Sequence, residues 1–122
     1  MATSEIRGAA VRRRDGVAVI DLAGDVNRAA EETLEAAWSQ AVAEQPGAVV
    51  LNFEGAGYIN STGIAVIVGL LARARAGGIE VRAYGLTPHY REIFEITRLA
   101  DFMAINPDED SAVSGAEGSR DA

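Results

Sequence analysis

The chain is organised around residues 49–78, VVLNFEGAGYINSTGIAVIVGLLARARAGG. The continuous apolar run Val49–Phe53 marks a strand covered on both faces. It passes through a glycine-containing loop, Gly55-Ala56-Gly57, into the tetrad Asn60-Ser61-Thr62-Gly63. Beyond the tetrad the sequence is apolar nearly all round through Leu71, the pattern of a helix buried against both a sheet and other helices. From Ser61 to Arg75 that helix spans about 22 Å, and Gly77-Gly78 closes it. A buried strand followed at once by a buried helix calls for a layered α/β domain.

The tetrad needs a reason. One polar side chain is enough to cap a helix, a contribution of about 1 kcal/mol. Gly63 in the first turn costs up to about 1 kcal/mol against alanine. It is explained by a close backbone approach, to a neighbouring strand or to a partner's surface. The first N–H groups of a helix lack internal partners and favour negative charge. A phosphate on Ser61 would therefore be accepted by the helix, yet it would place about two negative charges on a contact surface. Two readings stand at this point: an over-provided helix cap, or a Ser61 hydroxyl placed for another protein to modify.

The flanks supply the remaining elements. Glu5–Arg13 can be extended, and Asp15-Gly16 is a turn signal before the β-branched strand Val17–Leu22, so the pair reads as a hairpin. The Arg12-Arg13-Arg14 run reads as a solvated strand end, with contact to an anionic partner as the alternative. Asn27 is an N-cap, and Leu34, Ala37, Trp38, Ala41 and Val42 recur as one helical face, with Trp38 a packing residue. Pro46-Gly47 stops that helix. Ile79–Tyr84 is the next strand, and Thr87-Pro88 opens a short helix whose inward stripe is Tyr90, Ile93, Phe94 and Thr97. Phe102–Ile105 supplies a last apolar segment, an edge-strand candidate. The order β-β-α-β-α-β-α-(β) implies a mixed sheet of four to five strands with helices mainly on one face.

Composition narrows the function classes. The 122 residues make one domain, placed at 5–106. The start, Met1–Ser4, is polar and expected to be loose. Of the net charge of −7, residues 107–122 carry five acids and one arginine, so they read as an acidic, disordered tail. That balance argues against nucleic-acid binding. There is no cysteine, which excludes disulfides and thiol chemistry. No apolar run reaches the roughly 20 residues of a membrane span, and the start lacks a signal-peptide core, so the expected location is the cytoplasm. Phosphate-loop, nucleophile-elbow and HExxH motifs are absent. His89, the only histidine, sits at a helix start where an exposed polar residue is ordinary. No catalytic residue, metal ligand or cofactor is assigned.

The residues Val49–Ile105 resemble the STAS domain, in particular the bacterial anti-sigma factor antagonists. The resemblance rests on VVLNFEG, on Tyr58-Ile59-Asn60-Ser61-Thr62-Gly63-Ile64, on VGLLARARAGG, and on Gly85-Leu86-Thr87-Pro88 leading into REIFEITRLADFMAI; VIDLAGDVN (Val19–Asn27) is similar to the family's second strand and the loop after it. It implies a small mixed sheet with helices mainly on one side. It also implies a phosphoacceptor at Ser61, with Thr62 beside it as the second choice. The implied partners are an anti-sigma factor that is a GHKL-type Ser kinase and a PP2C-type phosphatase that resets the switch. The unmodified protein would bind the kinase through Asn27, Arg28, Asn60, Ser61, Thr62 and Gly63, as a monomer or weak dimer, and phosphorylation would release it. The alternative is a scaffold module of a signalling assembly without a phospho-switch.

Two positions depart from the family pattern. Asn60 stands where an aspartate usually precedes the acceptor, and Asn27 where an aspartate usually ends the loop before the first helix. An amide can still cap a helix but balances no cation. A unit charge about 4 Å away is worth about 1–4 kcal/mol near a surface, so losing both carboxylates also lowers the repulsion a phosphate would meet.

Overall fold

The computed structural model describes residues 4–6 and 8–115. The outermost residues, 1–3 of the polar start and 116–122 of the acidic tail, lie outside the described residues. The elements run β1 (Ser4–Ile6), β2 (Ala9–Arg14), β3 (Val17–Val26), α1 (Glu31–Val42), β4 (Ala48–Ile59), α2 (Ser61–Gly77), β5 (Glu80–Tyr84), α3 (Pro88–Ile96), β6 (Ala104–Asn106) and α4 (Glu109–Ser114). Short 3-10 turns at Arg28–Ala30 and Leu99–Asp101 precede α1 and β6.

The strands form one sheet in sequence order, β1-β2-β3-β4-β5-β6. The pairs β1/β2 and β2/β3 are antiparallel, and the pairs from β3 to β6 are parallel. Six strands exceed the expected four to five because the first extended segment divides. Gly8 at φ +85° turns the chain, and Ile6 pairs with Ala9. The β2–β3 hairpin closes at the expected place. Arg14 pairs with Val17 across Asp15 (φ +49°) and Gly16 (φ +83°), the two positive φ values that match a tight turn to strand twist.

The sheet separates two apolar layers. One holds Trp38 of α1, Ile67, Leu70 and Leu71 of α2 and Phe94 of α3 against Ile20, Val49, Leu51 and Val81. The other is smaller: Val17, Val19, Ala48, Val50 and Tyr84 under Ala112 and Val113 of α4. Helices thus lie mainly on one face, with α4 alone on the other.

Three expectations are corrected. The segment 55–57 is strand, not loop: β4 continues through it to Ile59, paired with β3 across two register shifts. A Cβ on Gly55 would lie 2.8 Å from the Leu22 carbonyl oxygen, so the glycines let the two strands close on each other. Second, α2 is not buried all round. Val66, Ile67, Leu70, Leu71 and Ala74 are buried, whereas Ala65, Val68, Gly69 and Ala72 are exposed. The sheet covers only one side of it, and small side chains make the exposed face inexpensive in water. Third, within the stretch expected to be a disordered tail from Pro107, residues Glu109–Ser114 form α4. Its N-cap Asp108 accepts the Ser111 N–H at 2.9 Å, and its only large apolar residue, Val113, is buried beside Ala112. Composition missed it because six residues carry the helix and most of its anchoring comes from the other end of the chain.

That anchoring also corrects the reading of Arg12-Arg13-Arg14 as a solvated strand end. Arg12 forks between Asp21 and Glu109, and Arg14 bonds Glu109 (2.9 Å) and Asp110 (2.6 Å). Arg13 donates to the carbonyls of Gln40 and Ala41 at the end of α1. Tyr84 donates its hydroxyl to Glu109 at 2.7 Å, and Arg82 donates to the carbonyls of Ala112 (2.9 Å) and Val113 (3.1 Å). Hydrogen bonds from Arg12, then from Tyr84, hold the Glu109 carboxyl down at about 2. Burial first, and Glu109 second, raise the Tyr84 phenol.

Candidate functional site

The sequence-predicted residues meet where the C-terminal ends of β3 and β4 run into α1 and α2. Asn60 leaves the strand in an extended conformation and is the N-cap of α2: its Oδ1 accepts the Gly63 N–H at 2.9 Å and the Thr62 hydroxyl at 2.8 Å. Thr62 in turn accepts the Arg28 N–H at 3.0 Å. Asn27 caps the 3-10 turn before α1 by accepting the Ala29 N–H at 2.9 Å. Asn60, Thr62 and the Asn27-Arg28 loop are therefore one hydrogen-bonded unit tying two helix starts together.

Gly63 is the hinge of that unit, and the neighbour it approaches is a strand of its own chain. It is buried, and a Cβ there would overlap the Val26 carbonyl oxygen and lie 2.6 Å from the carbonyl carbon. Alanine cannot fit without moving β3 or α2. The structure thus places Gly63 beneath the surface while the other tetrad residues, Asn60, Ser61 and Thr62, are exposed.

Ser61 is left over. It is the first residue of α2, it is exposed, and its hydroxyl makes no hydrogen bond among the described residues. The three hydroxyl- and amide-bearing residues of the tetrad thus divide into a cap, a brace and a free hydroxyl. The Arg28 side chain is exposed on the adjoining loop and forms no ion pair among the described residues. Asp25 is committed to accepting the Tyr58 N–H at 2.9 Å.

An open cleft of about 280 Å³ beside the Asn27 loop has Asp25 as its one charged lining residue among the described residues. Among the described residues no group of three His, Cys, Asp or Glu is placed to hold a metal ion. His89 is exposed on α3 with its ring edge-on to Tyr90 at 4.9 Å. Among the described residues no helix is long and apolar enough to cross a membrane. Sequence reasoning missed Tyr90, whose hydroxyl accepts the Ile59 N–H at 3.0 Å and fixes the end of β4. Its place on the inward stripe of α3 showed burial but not that its polar tip would reach a strand end.

Comparison with known proteins identifies this architecture. The family model of the STAS domain matches residues 9–112. The chain belongs to the STAS domain family. A curated relative, "Putative anti-sigma factor antagonist BtrV" of Bordetella bronchiseptica, is 34% identical over 102 residues, covering 84% of this chain and 85% of the relative. Among solved STAS-like structures, an anti-sigma factor antagonist from Mycobacterium paratuberculosis superposes with a TM-score of 0.73 at 21% identity, over 88% of this chain and 91% of that one. SpoIIAA, also named an anti-sigma factor antagonist, matches in its unphosphorylated form with a TM-score of 0.66 at 20% identity, over 91% of this chain and 99% of that one. Its phosphorylated form, from Bacillus, has the same TM-score of 0.66 at 21% identity, over 89% of this chain and 99% of that one. At these identities the solved structures speak for the fold. The match to the family model extends past Ile105 into α4, through Ala112.

Proposed function

We propose that this STAS protein is an anti-sigma factor antagonist whose binding to its partner is switched off by phosphorylation of Ser61. The observation that carries the reading is the division of labour in the tetrad. Asn60 and Thr62 spend their polar groups inside the molecule, and Ser61 spends none. Modification of Thr62 would break the brace to Arg28, whereas modification of Ser61 would leave both helix starts intact. The partner, an anti-sigma factor with a GHKL-type Ser kinase fold, supplies the chemistry. Attack by Ser61 Oγ on the γ-phosphorus of ATP breaks the bond to ADP, and the serine proton goes to a base of the kinase. The product carries about two negative charges on the contact face. A PP2C-type phosphatase restores the hydroxyl. The names of the relatives support the antagonist role, and the protein acts as a monomer or weak dimer in the cytoplasm.

The test is incubation with a purified GHKL-type anti-sigma kinase and ATP, followed by phosphopeptide mass spectrometry. One phosphate is expected on Ser61; Ser61→Ala should abolish it and Thr62→Ala should not. Ser61→Asp should weaken kinase binding at least tenfold. Phosphate found only on Thr62, or on neither residue, refutes the reading.

A second reading, a scaffold module, draws on the open side of α2. Val68, Leu71, Ala72 and Arg75 line an apolar groove of about 270 Å³ with Leu99 and Phe102, and Arg75 lies over the Phe102 ring at 5.5 Å. Sedimentation velocity separates the two: a large assembly whose size does not change on dilution supports the scaffold.

A further inference from the structure

The residues of the proposed contact face are small and polar, and such groups alone make poor anchors. Fully desolvated aromatic side chains dominate most protein interfaces. Tyr58 is the candidate here. At 72% exposure it is the most exposed large apolar side chain among the described residues, ahead of Ile96, Phe102 and Val68. It lies three residues before Ser61, so its Cα is within about 10 Å of the acceptor's.

Its backbone setting is rigid. Beyond Asn52, the β4 ladder with β5 ends and β4 pairs with β3 alone. Side chains hold three N–H groups of this stretch. Asn52 accepts from Glu54 (2.9 Å), Asp25 from Tyr58 (2.9 Å) and the Tyr90 hydroxyl from Ile59 (3.0 Å). Gly57 lets Asp25 reach in, because a Cβ on Gly57 would stand 2.5 Å from the Asp25 Oδ1. The Tyr58 N–H and the Ile59 N–H are thus held on opposite sides of the strand, while the Tyr58 side chain remains in water. A ring exposed on a pinned backbone loses little freedom on binding.

We propose that Tyr58 is the apolar anchor of the kinase-binding face, inserting its ring into an apolar pocket of the anti-sigma factor while the Ser61 end of α2 meets the kinase site. This deepens the antagonist reading and rests on it. The anchor sets affinity, and Ser61 sets whether the docked face is tolerated.

The test measures binding of wild type, Tyr58→Ala, Tyr58→Phe and Ser61→Ala to a purified GHKL-type anti-sigma kinase by calorimetry, with thermal unfolding of each variant alongside. Tyr58→Ala should bind 10- to 100-fold more weakly with its melting temperature unchanged within about 2 °C, and Tyr58→Phe should stay within fivefold of wild type. In phosphorylation assays Tyr58→Ala should raise KM for the antagonist and leave kcat near wild type. If wild type binds and Tyr58→Ala binds equally well, the anchor is wrong while the antagonist reading stands. A loss of affinity matched by a loss of folding stability also overturns it, since the residue would then be structural. If wild type binds no such kinase, the antagonist reading falls and takes the anchor with it.

Discussion

Two polar clusters sit on this small domain, and they are built on opposite principles. The α2 junction is neutral: Asn27, Asn60 and Thr62 satisfy helix starts with amides and a hydroxyl, and Ser61 stays exposed. The cluster under α4 is charged: Arg12 and Arg14 converge on Glu109, with Asp21, Asp110 and Tyr84 completing it. Charge density and shifted ionisation ordinarily point to function. Here they mark a structural clasp, in which every strong group is already matched to another of its own chain. The quiet cluster is the one with a group to spare.

The sharpest way to break this comparison is to disturb the backbone contact beneath the neutral cluster. Gly63→Ala should destabilise the protein by about 3 kcal/mol or prevent folding, because the added carbon meets a carbonyl and not a flexible side chain. Urea unfolding measures it. A cost below about 1 kcal/mol would mean that α2 can slide away from β3 easily.

Next in size comes the clasp. Glu109→Gln removes the charge that Arg12 and Arg14 share, and should cost about 2 kcal/mol. Acid should reproduce part of the effect. The folded Glu109 carboxyl is held down at about 2, below its ordinary 4.5, so its contribution is complete above pH 4.5 and is lost as the pH falls toward 2. With partial exposure taken into account, wild type should lose about 1–2 kcal/mol across that window through this group, and Glu109→Gln should lack this component. Glu109→Gln should leave kinase binding at neutral pH unaltered, since the clasp is on the other face of the sheet.

The smallest effects sharpen the division within the tetrad. Asn60→Ala should cost about 1 kcal/mol as a lost cap, and Asn60→Asp should keep the cap and change stability by less than about 0.5 kcal/mol. Ser61→Ala should stay within about 0.5 kcal/mol of wild type while abolishing phosphorylation. If Ser61→Ala costs as much as Asn60→Ala, the Ser61 hydroxyl is not idle and the assignment of roles fails.

Much of this was legible in the sequence because it is local. The hairpin at Asp15-Gly16, the Asn27 and Thr87 caps, the stripe from Leu34 to Val42 and the left-handed close of α2 at Gly78 all depend on residues within a turn or two of each other. The glycines of β4 misled for the same reason. Locally they signal a loop, and only the nearness of β3 makes them strand residues. The uniform apolarity of α2 predicted burial on every side, but how many sides a sheet covers is not written in a helix's own sequence.

By itself, then, the chain determined most of its elements, its layered architecture and a tetrad too richly polar for a single cap. Only the tertiary structure decided that Gly63 packs on Val26, 37 residues earlier, that Arg12 and Glu109 meet across 97 positions, and that Thr62 is bound to Arg28 while Ser61 is not bound at all among the described residues. Periodicity and capping act over a few residues, and they report which groups need partners. Which partner arrives, and which hydroxyl is left without one, depends on how distant segments come together.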